Sequence, residues 1–287
     1  MSKTGIICTA YGTPRSQSAA DIEAYYTHIR GGRKPSPEAL SELVDRYQAI
    51  GGSPLEEITN RQAQALAQLL EVPVWVGMKH AEPFISAAVE QARTAGVTRL
   101  IGLPLAPHYA AMSLGAYKKT LQASWEGELE FIPGFHTHPA FISAVRSLLG
   151  EALAGFEADR LFFTIHSLPA RILAEGDGYA DRFRESCEMV STGLQLPPWQ
   201  LAYQSVSDTG EPWLGPDLLP AIEASGARRV LVCPIGFVSD HLEILYDLDV
   251  EAQEFAQRSG REIRRTASFN DRPEFIEALA SVVRDHL

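Results

Sequence analysis

Residues 228–251, RRVLVCPIGFVSDHLEILYDLDVE, join a short apolar run to a segment that carries acids at helical spacing. Residues 230–237 are almost continuously apolar, which is typical of a parallel strand that is buried on both faces. A helix is expected after this strand, with Asp240 as its N-cap. The stretch therefore predicts a buried strand that leads into a functional site.

Three carboxylates, Glu243, Asp247 and Glu251, recur four residues apart in this predicted helix and so share one of its faces. Each such pair of like charges costs about 0.3 kcal/mol, so the row requires an explanation. One explanation is a solvated helix face, with Glu243 completing a capping box that begins at Asp240. The other is a row of oxygen ligands along a path for a divalent cation. Both remain open at this point.

Composition bounds the class of protein. A chain of 287 residues, 45% of them hydrophobic, is long enough for one large domain or two of ordinary size. The formal net charge of −11 argues against a nucleic-acid surface and against binding to anionic membranes. No apolar run approaches the ~18 residues of a membrane span, and no basic region precedes the apolar N-terminal segment. We therefore expect a cytoplasmic protein without a membrane anchor.

The chain contains three cysteines, Cys8, Cys187 and Cys233, which are widely separated. Such spacing gives neither a disulfide framework nor a CxxC metal site. Cys8 and Cys233 lie in predicted strands, where a cysteine usually behaves as a small buried hydrophobe.

Apolar strand patterns alternate with helical patterns twice along the chain. This alternation predicts parallel sheets with right-handed crossovers, and so an α/β fold of two similar halves, each with about four strands flanked by helices. We place the halves at 1–140 and 141–272, and expect the last helix, within 273–287, to pack on the first half. The predicted strands are 5–10, 72–76, 99–107 and 129–133, then 160–165, 200–205, 230–237 and 263–268.

Ligands of open parallel sheets bind beyond the carboxyl ends of the strands, and two facing sheets form a cleft there. This rule selects Tyr11, His80 and His108 from the first half, and His166 with the acidic helix from the second. His166 either caps the next turn, or combines with the acids as a nitrogen ligand or a proton acceptor. An imidazole near its unperturbed pKa of ~6.5 can accept a proton at neutral pH.

A basic glycine-rich loop, residues 30–34, suits carboxylates or phosphates, although a solvated surface loop has the same composition. The motifs GxGxxG, GxxxxGK[ST], GxSxG and HExxH are absent from the sequence. Nucleotide binding and serine or zinc hydrolysis are therefore disfavoured.

Eight segments, spread in order over nearly the whole chain, closely resemble the ferrochelatases, and most of all the bacterial coproporphyrin type. The resemblance implies two Rossmann-like halves around a porphyrin cleft, and an enzyme that inserts Fe²⁺ into the macrocycle with loss of two protons. The segments are AYGTP (10–14), DIEAYYTHIRGGRKP (21–35), DRYQAIGGSPL (45–55), GMKHAEPFI (77–85), LAPHYA (105–110), HSLP (166–169), YQSVSDTGEPWLGPD (203–217) and PIGFVSDHLEILYDLD (234–249).

The resemblance also implies residue roles. His166 and Glu243 become the catalytic, iron-side pair, with Asp247 and Glu251 behind them as an outer cation path on a helix that is distorted into a π-type turn. Tyr11 faces the opposite side of the macrocycle and is the axial ligand of the product iron. The residues that would hold the carboxylates or the edge of the substrate are Arg30, Arg46, Tyr47, Ser53 and Tyr117.

Tyr11 and the basic loop favour coproporphyrin III, whose four propionates make it a polyanion. The open alternatives are a protoporphyrin IX ferrochelatase and a non-catalytic tetrapyrrole or haem carrier; a cobalt or sirohydrochlorin chelatase resembles the chain much less. Tyr203 and the loop 206–211 depart from the family pattern. No cofactor beyond the substrate iron is expected, and no 2Fe–2S cluster, because the cysteines lack its spacing. The expected partners are coproporphyrin III, Fe²⁺ and, transiently, the next enzyme of haem synthesis.

Overall fold

The structure, a computed structural model, describes residues 3–207 and 209–287. Its strands form two four-stranded sheets in which every neighbouring pair is parallel. The predicted fold class, two Rossmann-like α/β halves with one such sheet each, is confirmed. The first sheet has the order β2-β1-β3-β4 and the second the order β6-β5-β7-β8. The strands are β1 (Thr4–Ala10), β2 (Val74–Met78), β3 (Arg99–Pro104), β4 (Glu128–Phe131), β5 (Arg160–His166), β6 (Trp199–Gln204), β7 (Arg229–Cys233) and β8 (Glu262–Arg265).

Helices flank both sheets and connect their strands. Because the helices cover both faces, the inner strands β1 and β5 are buried almost along their whole length, as continuous apolar runs predict. The helices are α1 (Ala19–Ile29), α2 (Pro37–Ala49), α3 (Leu55–Leu70), α4 (Ile85–Thr94), α5 (Leu114–Ser124), α6 (Pro139–Ala154), α7 (Arg171–Ala174), α8 (Tyr179–Ser191), α9 (Leu218–Ser225), α10 (Leu242–Leu245), α11 (Ala252–Ser259) and α12 (Pro273–Arg284).

One hydrophobic core runs through both halves. It includes Met78 from the first sheet, Phe163 and Leu231 from the second, and Phe275 from α12. Helix α12 packs against α3 and α6. A polar contact also joins the halves, since Gln62 Nε2 donates to Ser239 Oγ at 3.0 Å. The strands of the two sheets lie within 4–131 and 160–265, and the division of the chain near residue 140 stays a prediction.

Two predicted strands end earlier in the structure, and a proline lies at each point. β3 ends at Pro104 and β7 ends at Cys233, just before Pro234. Proline has no N–H to donate to a sheet, so it tends to interrupt the hydrogen-bond ladder. After β7 the chain turns instead, and the N–H of Gly236 donates to Thr164 O on β5 at 3.1 Å.

The acidic segment after β7 is not one continuous α-helix, and the π-type turn that the resemblance implies is confirmed. It consists of the short α10, a π-helical turn at Asp247–Glu251, and α11. The prediction that Asp240 caps the helix is wrong, because His241 occupies the N-cap position. The carboxylate of Asp240 accepts hydrogen bonds from Arg265, Ser268 and Asn270, so it faces the loop after β8.

Candidate active site

His166 is the last residue of β5, the strand at the centre of the second sheet. Its backbone carbonyl accepts a hydrogen bond from the hydroxyl of Tyr179 at 2.9 Å. Its Nδ1 atom hydrogen-bonds to the carbonyl of Ser167, which leaves Nε2 free to face Glu243. The distance from His166 Nε2 to Glu243 Oε1 is 3.3 Å. Strand, carbonyl contact and Nδ1 bond together orient the imidazole toward the acidic segment.

The carboxylate of Glu243 lies between two imidazoles. Oε1 faces His166, and Oε2 lies 3.5 Å from Nε2 of His241. The Nδ1 of His241 donates to Ser239 O at 2.9 Å, which fixes that ring as well. About a third of the Glu243 side chain is exposed. The result is a His–Glu–His row that is accessible from one side.

Charge pairing decides the protonation of this row. Burial would lower the pKa of His166, but the adjacent Glu243 carboxylate outweighs it and raises the pKa to about 9. The pKa of His241 is raised by the same carboxylate, again against burial. Burial opposes ionisation of Glu243, yet the two imidazoles hold its pKa well below the usual range. In the free protein at neutral pH, His166 is therefore an imidazolium rather than the near-unperturbed imidazole expected from the sequence.

The π-helical turn carries the outer acids. Its wide turn shows in the backbone, where the N–H of Glu251 donates to Tyr246 O, five residues back, at 2.9 Å. Asp247 accepts a hydrogen bond from Ser205 Oγ at 2.6 Å. Burial raises the pKa of Asp247 to about 7, with Glu243 and Glu251 adding to the rise. Burial also raises the pKa of Glu251, and the nearby Arg46 opposes that rise.

In the first half, Tyr11 directly follows β1 and is 43% exposed. Its ring packs against that of His80, with centroids 4.6 Å apart, and Lys79 Nζ lies 6.0 Å from the Tyr11 centroid. The pKa of Tyr11 is raised by burial, and next by the charge of Glu243. The charge of Glu243, in the second half, therefore acts on the Tyr11 hydroxyl in the first half.

Two further predicted tyrosines line this side. Tyr47 on α2 and Tyr117 on α5 are each 5% exposed. Burial raises the pKa of both hydroxyls, that of Tyr47 to about 12, and the Glu243 charge adds to each rise. All three tyrosines thus stay neutral and sense the same carboxylate.

The predicted substrate-edge residues are more scattered. Arg46 pairs with Glu42 at 2.7 Å, and its guanidinium lies 5.0 Å from the ring centroid of Tyr246 on the acidic segment. Arg30 is exposed at the C-terminal end of α1, 5.5 Å from the ring of Tyr26. Ser53 accepts from the N–H of Leu55, where α3 begins. The structure brings Arg46 to the acids and leaves Arg30 on its loop.

Two residues of the site were missed in the sequence. His241 stands two positions before Glu243, a spacing that does not indicate contact on a helix, and it contacts Glu243 because it precedes the first helical turn. Ser205 directly follows β6 with a φ of 59°, and its hydroxyl donates to Asp247. No pattern in the sequence marks that left-handed residue, since such a φ favours glycine.

The set of potential metal ligands in the site is small. Within residues 3–207 and 209–287, no group of three or more His, Cys, Asp or Glu side chains is arranged to hold a metal ion. The same residues include no helix of the length and apolarity that crossing a membrane requires.

Two solved structures of chelatases share this architecture. SirB from Bacillus subtilis, solved with Fe³⁺, superposes with a TM-score of 0.60 at 11% identity, over 99% of this chain and 95% of its own. CbiX, the terminal enzyme for siroheme biosynthesis in denitrifying bacteria, gives a TM-score of 0.57 at 13% identity, over 99% of each chain. At such identities the likeness shows the fold alone: a two-domain, Rossmann-like chelatase fold.

Sequence comparison defines the family within that fold. The family model described as Ferrochelatase matches residues 3–287. A "Ferrochelatase" of Herpetosiphon aurantiacus is 41% identical over 98% of both chains. A "Coproporphyrin III ferrochelatase" of Bacillus pumilus is 38% identical, over 98% of this chain and 96% of its own. The chain belongs to the ferrochelatase family, whose members insert iron into porphyrins in haem biosynthesis.

Proposed function

We propose that the chain is a coproporphyrin III ferrochelatase, which inserts Fe²⁺ into coproporphyrin III and releases two protons. The observation that carries this proposal is the His166–Glu243 pair, whose Nε2–Oε1 distance is 3.3 Å. In the proposal this pair is the metal-binding and proton-accepting group on one side of a cleft, and Tyr11, whose pKa the Glu243 charge helps to raise, is the neutral phenol on the other.

The charge state of the pair suggests an order of events. His166 holds a proton in the free protein because Glu243 stabilises it. A dication that reaches Glu243 neutralises this carboxylate, so the pKa of His166 falls and the imidazolium releases its proton to solvent. The imidazole that results can take a proton from one pyrrole N–H, pass it to solvent, and take the second pyrrole proton in the same way. Arrival of iron would in this way prepare the base that completes metallation.

The outer acids offer an approach for the ion. Asp247 and Glu251 follow Glu243 along the acidic segment, and burial raises the pKa of each, with neighbouring acids adding to the rise. Hard oxygen ligands bind ferrous iron well without holding it irreversibly. We propose that they conduct Fe²⁺ to the His166–Glu243 pair, and that two side-chain ligands suit an ion in transit.

The tetrapyrrole would lie between the two halves. Binding it in a bent form tilts its nitrogen lone pairs toward the metal, and remote contacts to the propionates can supply the strain energy. Arg30, Arg46, Tyr47, Ser53 and Tyr117 are our candidates for those contacts. Tyr11 would then face the opposite side of the ring and bind the product iron axially.

The choice of coproporphyrin III rests on Tyr11, on the basic loop 30–34, and on relatives that carry this substrate in their names. Coproporphyrin III has four propionates, and Arg side chains pair well with carboxylates. The absence of a cofactor requirement and a transient contact with the next haem-pathway enzyme stay predictions from the sequence.

The test is anaerobic insertion of Fe²⁺ by the purified protein, followed by absorbance, with coproporphyrin III and protoporphyrin IX supplied separately. Faster turnover of coproporphyrin III is the expected result. A preference for protoporphyrin IX would keep the chelatase and reject the four-propionate substrate. Tight binding of the finished haem without turnover of either porphyrin would reject the enzyme in favour of a carrier.

A further inference from the structure

The end of β8 contacts the acidic segment at two points. Arg265, the last residue of β8, donates from Nε and Nη2 to the two carboxylate oxygens of Asp249 at 2.8 and 2.7 Å. Its Nη2 also donates to Asp240 Oδ1 at 3.2 Å. Asp240 precedes α10, and Asp249 lies in the middle of the π-helical turn. One guanidinium therefore ties both ends of the stretch that carries Glu243 and Asp247.

The ion pairs of Arg265 are partly buried, and further hydrogen bonds to Asp240 support them. The side chain of Arg265 is 17% exposed and that of Asp240 is 21% exposed. Asp240 accepts further hydrogen bonds from Ser268 Oγ at 2.7 Å and Asn270 Nδ2 at 2.8 Å, while its own N–H donates to Asn270 Oδ1. A planar guanidinium that pairs with two carboxylates is strongly directional, so it restricts where residue 249 can lie.

We propose that Arg265 is a positioning residue for the metal-side machinery, a role that rests on the proposed function. It pairs with Asp240 before α10 and with Asp249 in the π-helical turn, and so holds the stretch between them, which carries Glu243 and Asp247, in the position that presents both acids to the cleft. Arg265 forms a hydrogen bond or ion pair with neither Glu243 nor Asp247 in the described residues. Removal of its charge would leave Asp249 without its ion-pair partner and Asp240 with the neutral donors Ser268 and Asn270 alone, and the two carboxylates would repel each other. The stretch 240–249 would then shift and take Glu243 out of reach of His166.

The first test is Arg265→Met, with Arg264→Met as the matched control. Arg264 is the neighbouring residue, but it is 53% exposed and pairs with Glu262 instead. Small displacements of reacting groups cost up to about 100-fold in rate. For Arg265→Met we expect kcat for metallation to fall about 10- to 100-fold, with KM for the porphyrin within about 2-fold of wild type. Arg264→Met should keep both values.

Two further variants separate positioning from general stability. Asp249→Asn should lower kcat in the same direction, and the double variant should lose no more than Arg265→Met alone, because Arg265→Met already removes the pair with Asp249 as well as the contact with Asp240. Arg265→Lys keeps the charge without the fork and should recover part of kcat. If Arg265→Met does not fold, Asp249→Asn and Arg265→Lys decide the question by the same readouts.

A second readout does not depend on the chemistry. Hydrogen exchange of the amides in 241–252 should speed up about 10-fold in Arg265→Met, and in α12 it should not change. Unchanged exchange in 241–252 with a wild-type kcat would overturn the proposal. A uniform rise of exchange over the chain, with kcat and porphyrin binding lost together, would overturn it too. If the wild-type protein metallates neither porphyrin, the proposed function fails, while the exchange result still decides the role of Arg265.

Discussion

The two halves of the molecule place their strands in the same order, and β1 in one sheet occupies the position of β5 in the other. Tyr11 follows the end of β1, and His166 ends β5. The same point of the scaffold thus delivers a neutral phenol from one half and an imidazolium from the other. Equivalent backbones do not impose equivalent chemistry, because the side chain at the strand end and its neighbours decide the charge.

The segments after the third strands show how the halves diverge. Pro104 ends β3 and Pro234 follows β7, so both strands stop at a proline. In the first half the chain then reaches a regular helix, α5. In the second half it forms α10, the π-helical turn and α11. The distorted helix thereby brings Glu243, Asp247 and Glu251 to the second half.

The largest effect is expected when the side chain at the end of β5, His166, is removed. General base catalysis contributes about 10²- to 10⁴-fold, so His166→Ala should lower kcat for iron insertion by that factor. Porphyrin binding, measured by fluorescence quenching, should be retained, because its contacts are proposed for the first half. His138→Ala, whose imidazole pairs with Asp285 away from the cleft, is the control. Normal turnover by His166→Ala would remove His166 from the mechanism.

The second test concerns the pH dependence of stability. The pKa of His166 is about 9 in the folded protein, and the unfolded value is ~6.5. The stabilisation from its pair with Glu243 is therefore complete below about pH 6.5 and is lost as the pH rises through about 9. Glu243→Gln removes the pair, so between about pH 6.5 and about pH 9 the free energy of unfolding should fall less in this variant than in the wild-type protein.

The expected difference is of the order of 1 kcal/mol, less than a full shift would give, because about a third of each partner is exposed to solvent. Urea unfolding of both proteins at pH 6 and pH 9 measures it. If the free energy of unfolding changes equally with pH in the two proteins, the pair does not stabilise the fold. Because His241 faces the same carboxylate, His241→Ala is the control that measures how much of the pH dependence comes from His241.

The smallest effect is expected in the first half. Tyr11→Phe removes the hydroxyl and keeps the ring on His80, so kcat for metallation should change by less than about 3-fold. The absorption spectrum of the iron product bound to the protein should change, because its axial oxygen ligand would be lost. An unchanged spectrum would reject axial ligation by Tyr11. A loss of kcat as large as that of His166→Ala would contradict the proposal that the metallation chemistry lies in the second half.

The sequence by itself determined the eight strands, their parallel arrangement and the two-half plan, because continuous apolar runs that alternate with helical patterns allow few other folds. It also contained the motifs that resemble ferrochelatases, and so the expected roles of His166, Glu243 and Tyr11. These features depend on local pattern and on order along the chain, which a sequence shows directly.

Only the tertiary structure decided the electrostatics of the acidic segment and the contacts of Asp240. The pKa of His166 depends on a carboxylate 77 residues away in the chain, whose distance no spacing rule predicts. Asp240 was expected to cap a helix, but Arg265, Ser268 and Asn270 hold it. The physical reason is the same in both cases. Coulomb energies and hydrogen bonds depend on separation in space, and only the pairing of β5, β7 and β8 in the second sheet brings these groups together.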